Sequence, residues 1–401
     1  MMRKFILIAS VIVTMTLSEG YSQNRNIRFN EKPWKEIVAM AKSENKLIFM
    51  DAFASWCGPC KWMAANMFTN DTVADYYNST FICAHFDMEK GEGLELRKKY
   101  QIRAYPSLLF ISPENEGLVH ERVGAPQRVR EYLDMGKVAL NPDECLATYI
   151  KKYQSGTNTP QFIEGFLARL TDAYIPVDDV MKKYFDTQKE SDLISRTNWN
   201  IIFRYVSEIN DPIFEYLSKH QNEYAKLYSK DSVDKKIADV YGYALQKYSR
   251  MPKNAKNDSA YQAVKDQILA SGFTDADRLF FNSDLQRYQA EGNIESYVRL
   301  AYEGIDKYYS GDYAMLNNAA WSISSLSTDP KYLEKAAEWS KKSVSLKSEA
   351  SNNDTYAAIL LKLGKNTEAI KYEKAAIEIA KKLNQPAERY EEALKKMEEA
   401  K

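Results

Sequence analysis

Glycine and proline are scarce in this chain, 15 and 12 among 401 residues. An architecture built from many short strands needs them at its tight turns, so their scarcity favours helices. There are only 4 cysteines and 3 histidines. The first number is too low for a small disulfide-stapled scaffold. The second leaves no visible ligand pair to complete a metal site. Net charge is also missing, because Lys+Arg and Asp+Glu both total 55. A neutral chain gains little from coating nucleic acid or an anionic membrane. What is present is the balance of a globular protein, 45% hydrophobic and 27% charged. The length calls for two or three domains.

The first residues differ in kind. Arg3 and Lys4 precede an apolar run from Phe5 to Leu17, and the small residues Gly20 and Ser22 follow. This three-part pattern predicts a secretory signal over 1–22, cut after Ser22. The run is shorter than the ~20 residues a bilayer span needs. No cysteine follows the cut to carry a lipid anchor, and no later stretch is apolar enough to span. An exported protein is expected, with the bacterial periplasm the best-fitting compartment.

From residue 23 to about 140 the pattern alternates. Pro33-Trp34 opens a helix with Trp34, Ile37, Val38 and Ala41 on one face. Residues 46–53 form an almost continuous apolar run of strand length, as in a strand buried on both faces. A helix follows from the Cys-Gly-Pro-Cys string towards Phe68. Further strands are predicted over 80–88, 107–111 and 119–123, with helices over 91–100 and 127–138. Interleaved strands and helices predict an α/β domain.

Beyond Asn141-Pro142 the spacing is helical almost throughout. A helical region over 141–275 shows no defensible repeat. From 276 to 401 a weak one exists: the turn at Gly292 resembles that at Gly364, 72 residues on, and half that distance falls at Thr328. Asn317-Asn318-Ala319-Ala320-Trp321 echoes Asn353-Asp354-Thr355-Tyr356-Ala357 at a spacing of 36. A two-helix unit of about 34 residues is the tetratricopeptide period, so an all-α, tetratricopeptide-like domain is expected.

The strongest signal is Trp56-Cys57-Gly58-Pro59-Cys60-Lys61. Disulfide exchange needs an attacking thiolate and a second thiol near enough to resolve the mixed disulfide. Two intervening residues at the first turn of a helix put both sulfurs on one side. The helix N-terminus favours the thiolate of Cys57. Gly58 allows close approach, and Pro59 suits the first turn, where its missing N–H costs nothing. Cys57 is expected as the exposed nucleophile and Cys60 as the resolving thiol. Half of a zinc site and an inert cross-link are the plainer readings. Cys83 reads as a small core residue and Cys145 as a passenger; a bond between them stays open.

This string resembles the active site of thioredoxins, and the likeness extends along residues 26–138. The resemblance implies that Asp51 is the buried acid that takes a proton from the resolving cysteine. It implies that Pro106 is cis and faces the cysteines, within Ile102-Arg103-Ala104-Tyr105-Pro106-Ser107. The Tyr105 backbone would then bind extended substrate, and Gly124 would form the remaining groove wall with Trp56, Gly58 and Pro59. Trp56 reads equally well as packing. Two departures stand out. The family's proline in the helix after the cysteines would fall at Ala65, and the stretch after Phe68 is closer to thioredoxin-like domains of envelope reductases. His85 falls where thioredoxins keep a lysine near the acid, so His85 and Asp51 would form a proton-handling pair; a satisfied core histidine is the plainer alternative.

The expectation is therefore a thioredoxin-like α/β domain, a central mixed sheet flanked by helices, over 23–140, followed by helical domains. Its activity would be reduction or isomerisation of disulfides in exported proteins. No cofactor or metal signature accompanies the Cys57–Cys60 pair, so electrons would come from another protein, with a membrane-embedded thiol carrier the expected donor. The competing expectation is a scaffold whose helical domain docks a protein partner.

Overall fold

The computed structural model describes residues 25–251 and 254–399, so the expected signal segment lies outside the described residues. The chain divides into two compact units, ending and beginning at Asn200 and Ile201.

The first unit is built on a four-stranded sheet. Its elements run α1 (Trp34–Glu44), β1 (Ile48–Phe53), α2 (Gly58–Asn66), α3 (Asp71–Thr80), β2 (Ile82–Asp87), α4 (Gly93–Lys99), β3 (Ser107–Ile111), β4 (Leu118–Val123) and α5 (Val129–Leu140). The strand order is β2-β1-β3-β4. β1 pairs parallel with β2 and antiparallel with β3, and β3 pairs antiparallel with β4. Side chains alternate across a strand, and β1 shows it plainly. Ile48, Met50 and Ala52 pack with Trp34, Ile37 and Ala41 of α1 and Leu96 of α4. Phe49 faces the other way, into a core with Met63 of α2, Tyr77 of α3 and Tyr132 of α5. Asp51 lies on that second face.

α3 is an element that the sequence pattern did not yield. Its cap is local: Asn70 Oδ1 accepts hydrogen bonds from the backbone N–H groups of Thr72 and Val73 at 3.1 and 3.3 Å. Such a side chain satisfies donors that a helix start leaves open. Val73, Ala74 and Tyr77 then form its buried face.

The boundary expected at residue 140 is not a break in packing. α6 (Leu146–Gln154) and α7 (Pro160–Asp172) lie against β4. The reason is that β4 is an edge strand with polar groups to cover. Arg169 of α7 ties the two helices together, donating from Nε to the Glu144 carbonyl at 2.6 Å and lying over the Tyr149 ring. Under this cover His120 of β4 is buried, and burial, then the positive charge of Arg169, pushes its imidazole down to about 4. α8 (Asp178–Phe185), α9 (Glu190–Leu193) and the start of α10 (Arg196–Tyr205) complete this unit.

The second unit contains only helices among its described residues. α11 (Pro212–Lys219), α12 (Gln221–Tyr228), α13 (Lys230–Ser249) and α14 (Ala255–Ala270) precede a regular series. In that series α15 (Ala276–Ala290) is followed by α16 (Ile294–Tyr309), α17 (Tyr313–Leu326) by α18 (Pro330–Leu346), and α19 (Ala350–Lys362) by α20 (Asn366–Lys382), with α21 (Glu388–Glu399) last. The second helices of the three pairs start at 36-residue steps, at Ile294, Pro330 and Asn366. The matching turns at Gly292 and Gly364 both adopt positive φ, 65° and 73°. No described helix is long and apolar enough to cross a membrane.

Candidate functional site

α2 begins directly after β1, and its first turn carries both cysteines. Cys57 is the N-cap: its backbone is extended, and its sulfur accepts a hydrogen bond from the Cys60 N–H at 3.2 Å. Pro59 sits inside the first turn, where no backbone donor is needed. The two sulfurs are bonded to each other, with the Cα atoms 5.4 Å apart. Cys83 and Cys145 are both free and buried, so no bond joins them. Burial pushes the Cys83 thiol up to about 12, which keeps it protonated and unreactive. Among the described residues no group of three or more His, Cys, Asp or Glu is placed to hold a metal ion.

Cys57 is not the exposed sulfur that the sequence suggested. In the bonded state it is only 3% exposed, and Cys60 4%. Both pack with Ala54, Phe53 and Tyr105, which close over the helix tip. The exposed group beside them is Trp56, 67% accessible. Its ring stands edge-on to Tyr105 at 6.0 Å, and its Nε1 donates to Glu89 Oε2 at 2.8 Å.

The Tyr105–Pro106 peptide is cis, as the resemblance implied. Gly124 holds this turn from β4, its N–H donating to the Pro106 carbonyl at 2.8 Å. Its φ of 100° lies where a side chain would be strained, which accounts for glycine there. From below, Ser107 Oγ donates to the Ala104 carbonyl at 2.9 Å. The structure thus brings Cys57, Cys60 and Tyr105 into one cluster, with Trp56 against Tyr105 and Gly124 fixing Pro106.

Asp51 is 1% exposed, on the β1 face that α2 covers. Burial raises its carboxyl above the usual range, and the facing His85 partly offsets the rise. His85 is its register partner on β2, and His85 Nε2 lies 3.3 Å from Asp51 Oδ2. The other oxygen, Oδ1, has no hydrogen-bond partner. Sequence reasoning found this pair but missed the groups around the site. Phe53 stacks on His85 at 3.9 Å. Lys90 donates to Ser55 Oγ at 3.0 Å, and Arg97 lies over the Tyr105 ring. Glu89, Lys90 and Arg97 are 29 or more residues from the cysteines, and no local pattern marks them.

A mixed sheet with a cysteine pair at a helix tip and a cis-proline turn beside it defines a thioredoxin-like domain. Residues 26–134 match the thioredoxin family model, so the chain carries a thioredoxin-like N-terminal domain. Thioredoxin-1 of Drosophila melanogaster is 36% identical over 69 residues, 17% of this chain and 60% of that protein. The chain therefore spans about 60% of the length of that curated relative. A candidate disulphide-isomerase from Bacteroides thetaiotaomicron is 43% identical, covering 30% of this chain and 98% of that one, with a TM-score of 0.28. A thioredoxin from Thermus thermophilus is 19% identical, covering 29% and 89% of the two chains, with a TM-score of 0.27.

Proposed function

We propose that this protein is an extracytoplasmic thiol-disulfide oxidoreductase that reduces disulfides in protein substrates, with isomerisation as its second activity. The observation that carries this reading is the Cys57–Cys60 pair, bonded at the tip of α2 within a thioredoxin-like domain. The reduced pair supplies an attacking thiolate at Cys57 and a resolving thiol at Cys60. Asp51 takes the proton of Cys60. Substrate lies extended along Tyr105 and Pro106, between Trp56, Gly58 and Pro59 on one side and Gly124 on the other. The pair is its own redox centre and needs no bound cofactor. Its electrons come from a second protein, a membrane-embedded thiol carrier, because the export signal read in residues 1–22 removes it from cytoplasmic reductants.

The scaffold reading, in which the helical unit docks a partner and no turnover occurs, leaves the pair of thiols without a use. Insulin reduction by dithiothreitol, with the wild type and Cys57→Ser, separates the two. Wild type accelerates precipitation of the insulin chains and Cys57→Ser does not. Equal rates for both, or no acceleration by either, would refute the enzyme. Fractionation of cells for the mature chain tests the compartment, and recovery from the cytoplasm overturns it.

A further inference from the structure

The chain is neutral overall, but the charges around the tip of α2 are not spent evenly. The acids nearby are occupied. Glu89 accepts from Trp56 Nε1 at 2.8 Å, and Asp87 pairs with Lys90 at 3.2 Å. Asp51 is buried, and Glu131, beyond Gly124, is shared between Arg122 and Arg128. The cations are freer. Lys61, one turn past Cys57 on α2, and Arg97, in the last turn of α4, are both exposed. Among the described residues neither is in a salt bridge. Arg103 is exposed as well, but it sits in the field of the buried Glu121.

Of these cations, Arg97 is the one held against the cysteine cluster. Its guanidinium lies over the Tyr105 ring, 5.7 Å from the centroid. The Tyr105 hydroxyl has no hydrogen-bond partner among the described residues, so the contact is with the ring and the guanidinium donors stay unspent. A ring face attracts a guanidinium by charge and leaves its planar fork free for a second partner. The backbone is fixed too. Leu96 packs in the core with β1 and α1, and the Arg97 carbonyl accepts from the Ile102 N–H at 3.0 Å. That hydrogen bond ties the end of α4 to the segment that runs into the cis Tyr105–Pro106 turn. Tyr105 in turn packs on the cysteines and stands edge-on to Trp56. A fork of donors is thus set one aromatic ring away from the disulfide.

We propose that Arg97 is a specificity-determining residue: stacked on Tyr105, it binds a carboxylate of the substrate protein beside the disulfide. Disulfides flanked by aspartate or glutamate are then reduced in preference to those flanked by lysine or arginine. The proposal rests on the reading of Cys57 and Cys60 as a working dithiol with substrate extended along Tyr105. Guanidinium and carboxylate match through two parallel N–H···O bonds. With Glu89 and Asp87 occupied, neither acid of the neighbouring loop competes for the fork. A basic side chain on the substrate meets Arg97 and Lys61 instead, with both of those acids already taken. The same charge acts before contact, drawing acidic chains to the site, and it weakens as salt screens it.

The test uses the full-length reduced protein and synthetic peptides, each closed by one disulfide and differing only in the residues beside the cysteines: glutamate, glutamine or lysine. Second-order rates of peptide reduction are measured in single turnover. Each is divided by the rate of the same peptide with dithiothreitol, which removes the peptide's intrinsic reactivity. At low salt the wild type is expected to favour the glutamate peptide over the lysine peptide by about fivefold, the scale of one exposed ion pair. In about 0.5 M salt the ratio falls towards one. Arg97→Gln lowers it towards one at low salt, and Arg97→Glu inverts it. Arg97→Lys, which keeps the charge but not the planar fork, retains part of the preference. Because each ratio is taken within one variant, a change in stability cancels. An unchanged ratio in Arg97→Gln and Arg97→Glu overturns the proposal. So does equal slowing of all the peptides, which marks a packing role. If the wild type reduces none of them, the dithiol reading itself fails, and this one with it.

Discussion

Cys57 and Asp51 show how little of a residue's chemistry is local. The sulfur of Cys57 caps its own helix, and that cap is written in the four residues of the motif. Its burial is not, because Phe53 and Tyr105 come from other elements to cover it. Asp51 was legible as an acid in an apolar run, but its unpartnered oxygen and its histidine are products of strand pairing. Asp51→Asn tests the role directly. The shape is kept and the base is lost, so turnover is expected to fall by up to about a hundredfold in the insulin assay. Stability moves the other way. A carboxyl whose folded pKa is raised binds its proton more tightly when folded, so ionisation weakens the fold as pH rises above the unfolded value. Asn removes that penalty. Thermal unfolding should show Asp51→Asn at least as stable as wild type, with the margin widening at alkaline pH. A margin that shrinks with rising pH contradicts the assignment.

At the scale of elements, the connections decide more than the strands. β1 and β3 were readable as short, largely apolar runs between breaks, whereas β2 and β4 mix apolar residues with charged ones and His. α3 was not, since its signal is a single asparagine cap ahead of an ordinary polar helix. Asn70→Ala should cost about 1 kcal/mol in chemical denaturation, while leaving the cysteines in place. Gly93, at the start of α4, is a stricter constraint. A Cβ there would fall 1.9 Å from the backbone carbonyl oxygen of Asp87, which a rotamer change cannot relieve. Gly93→Ala must displace the loop that carries Glu89, the hydrogen-bond partner of Trp56. A loss of roughly 1–3 kcal/mol is expected, with a change in Trp56 fluorescence. An unchanged stability and spectrum would show that the loop gives way freely.

Across the whole molecule, the sheet unit and the helical unit each bury carboxyl groups that burial holds above the ordinary range. In the helical unit Glu373 of α20 is fully buried and neither carboxyl oxygen has a hydrogen-bond partner. Burial, and then the Asp354 carboxylate, pushes it up to about 8. Between the ordinary carboxyl range and about 8, the folded protein therefore binds more protons than the unfolded one. The helical unit is expected to lose stability as pH rises through that window. Glu373→Gln should flatten the loss, with little change near pH 5 and a melting temperature higher by roughly 2–4 °C above pH 8. Parallel pH dependences for variant and wild type would mean that Glu373 titrates normally.

Taken by itself, the sequence determined what depends on neighbours along the chain. The helix tip with its two sulfurs, the strand runs, the acid six residues before Cys57 and the 36-residue rhythm of the last helices all belong here. These are governed by capping, periodicity and turn chemistry, which act over a few residues. Only the tertiary structure decided that one oxygen of Asp51 is left without a partner, that the bonded sulfurs lie covered, and that α6 and α7 close the edge of the sheet beyond residue 140. Burial and charge pairing depend on which distant segments meet. That is fixed by packing a whole core at once, and no short window of sequence contains it.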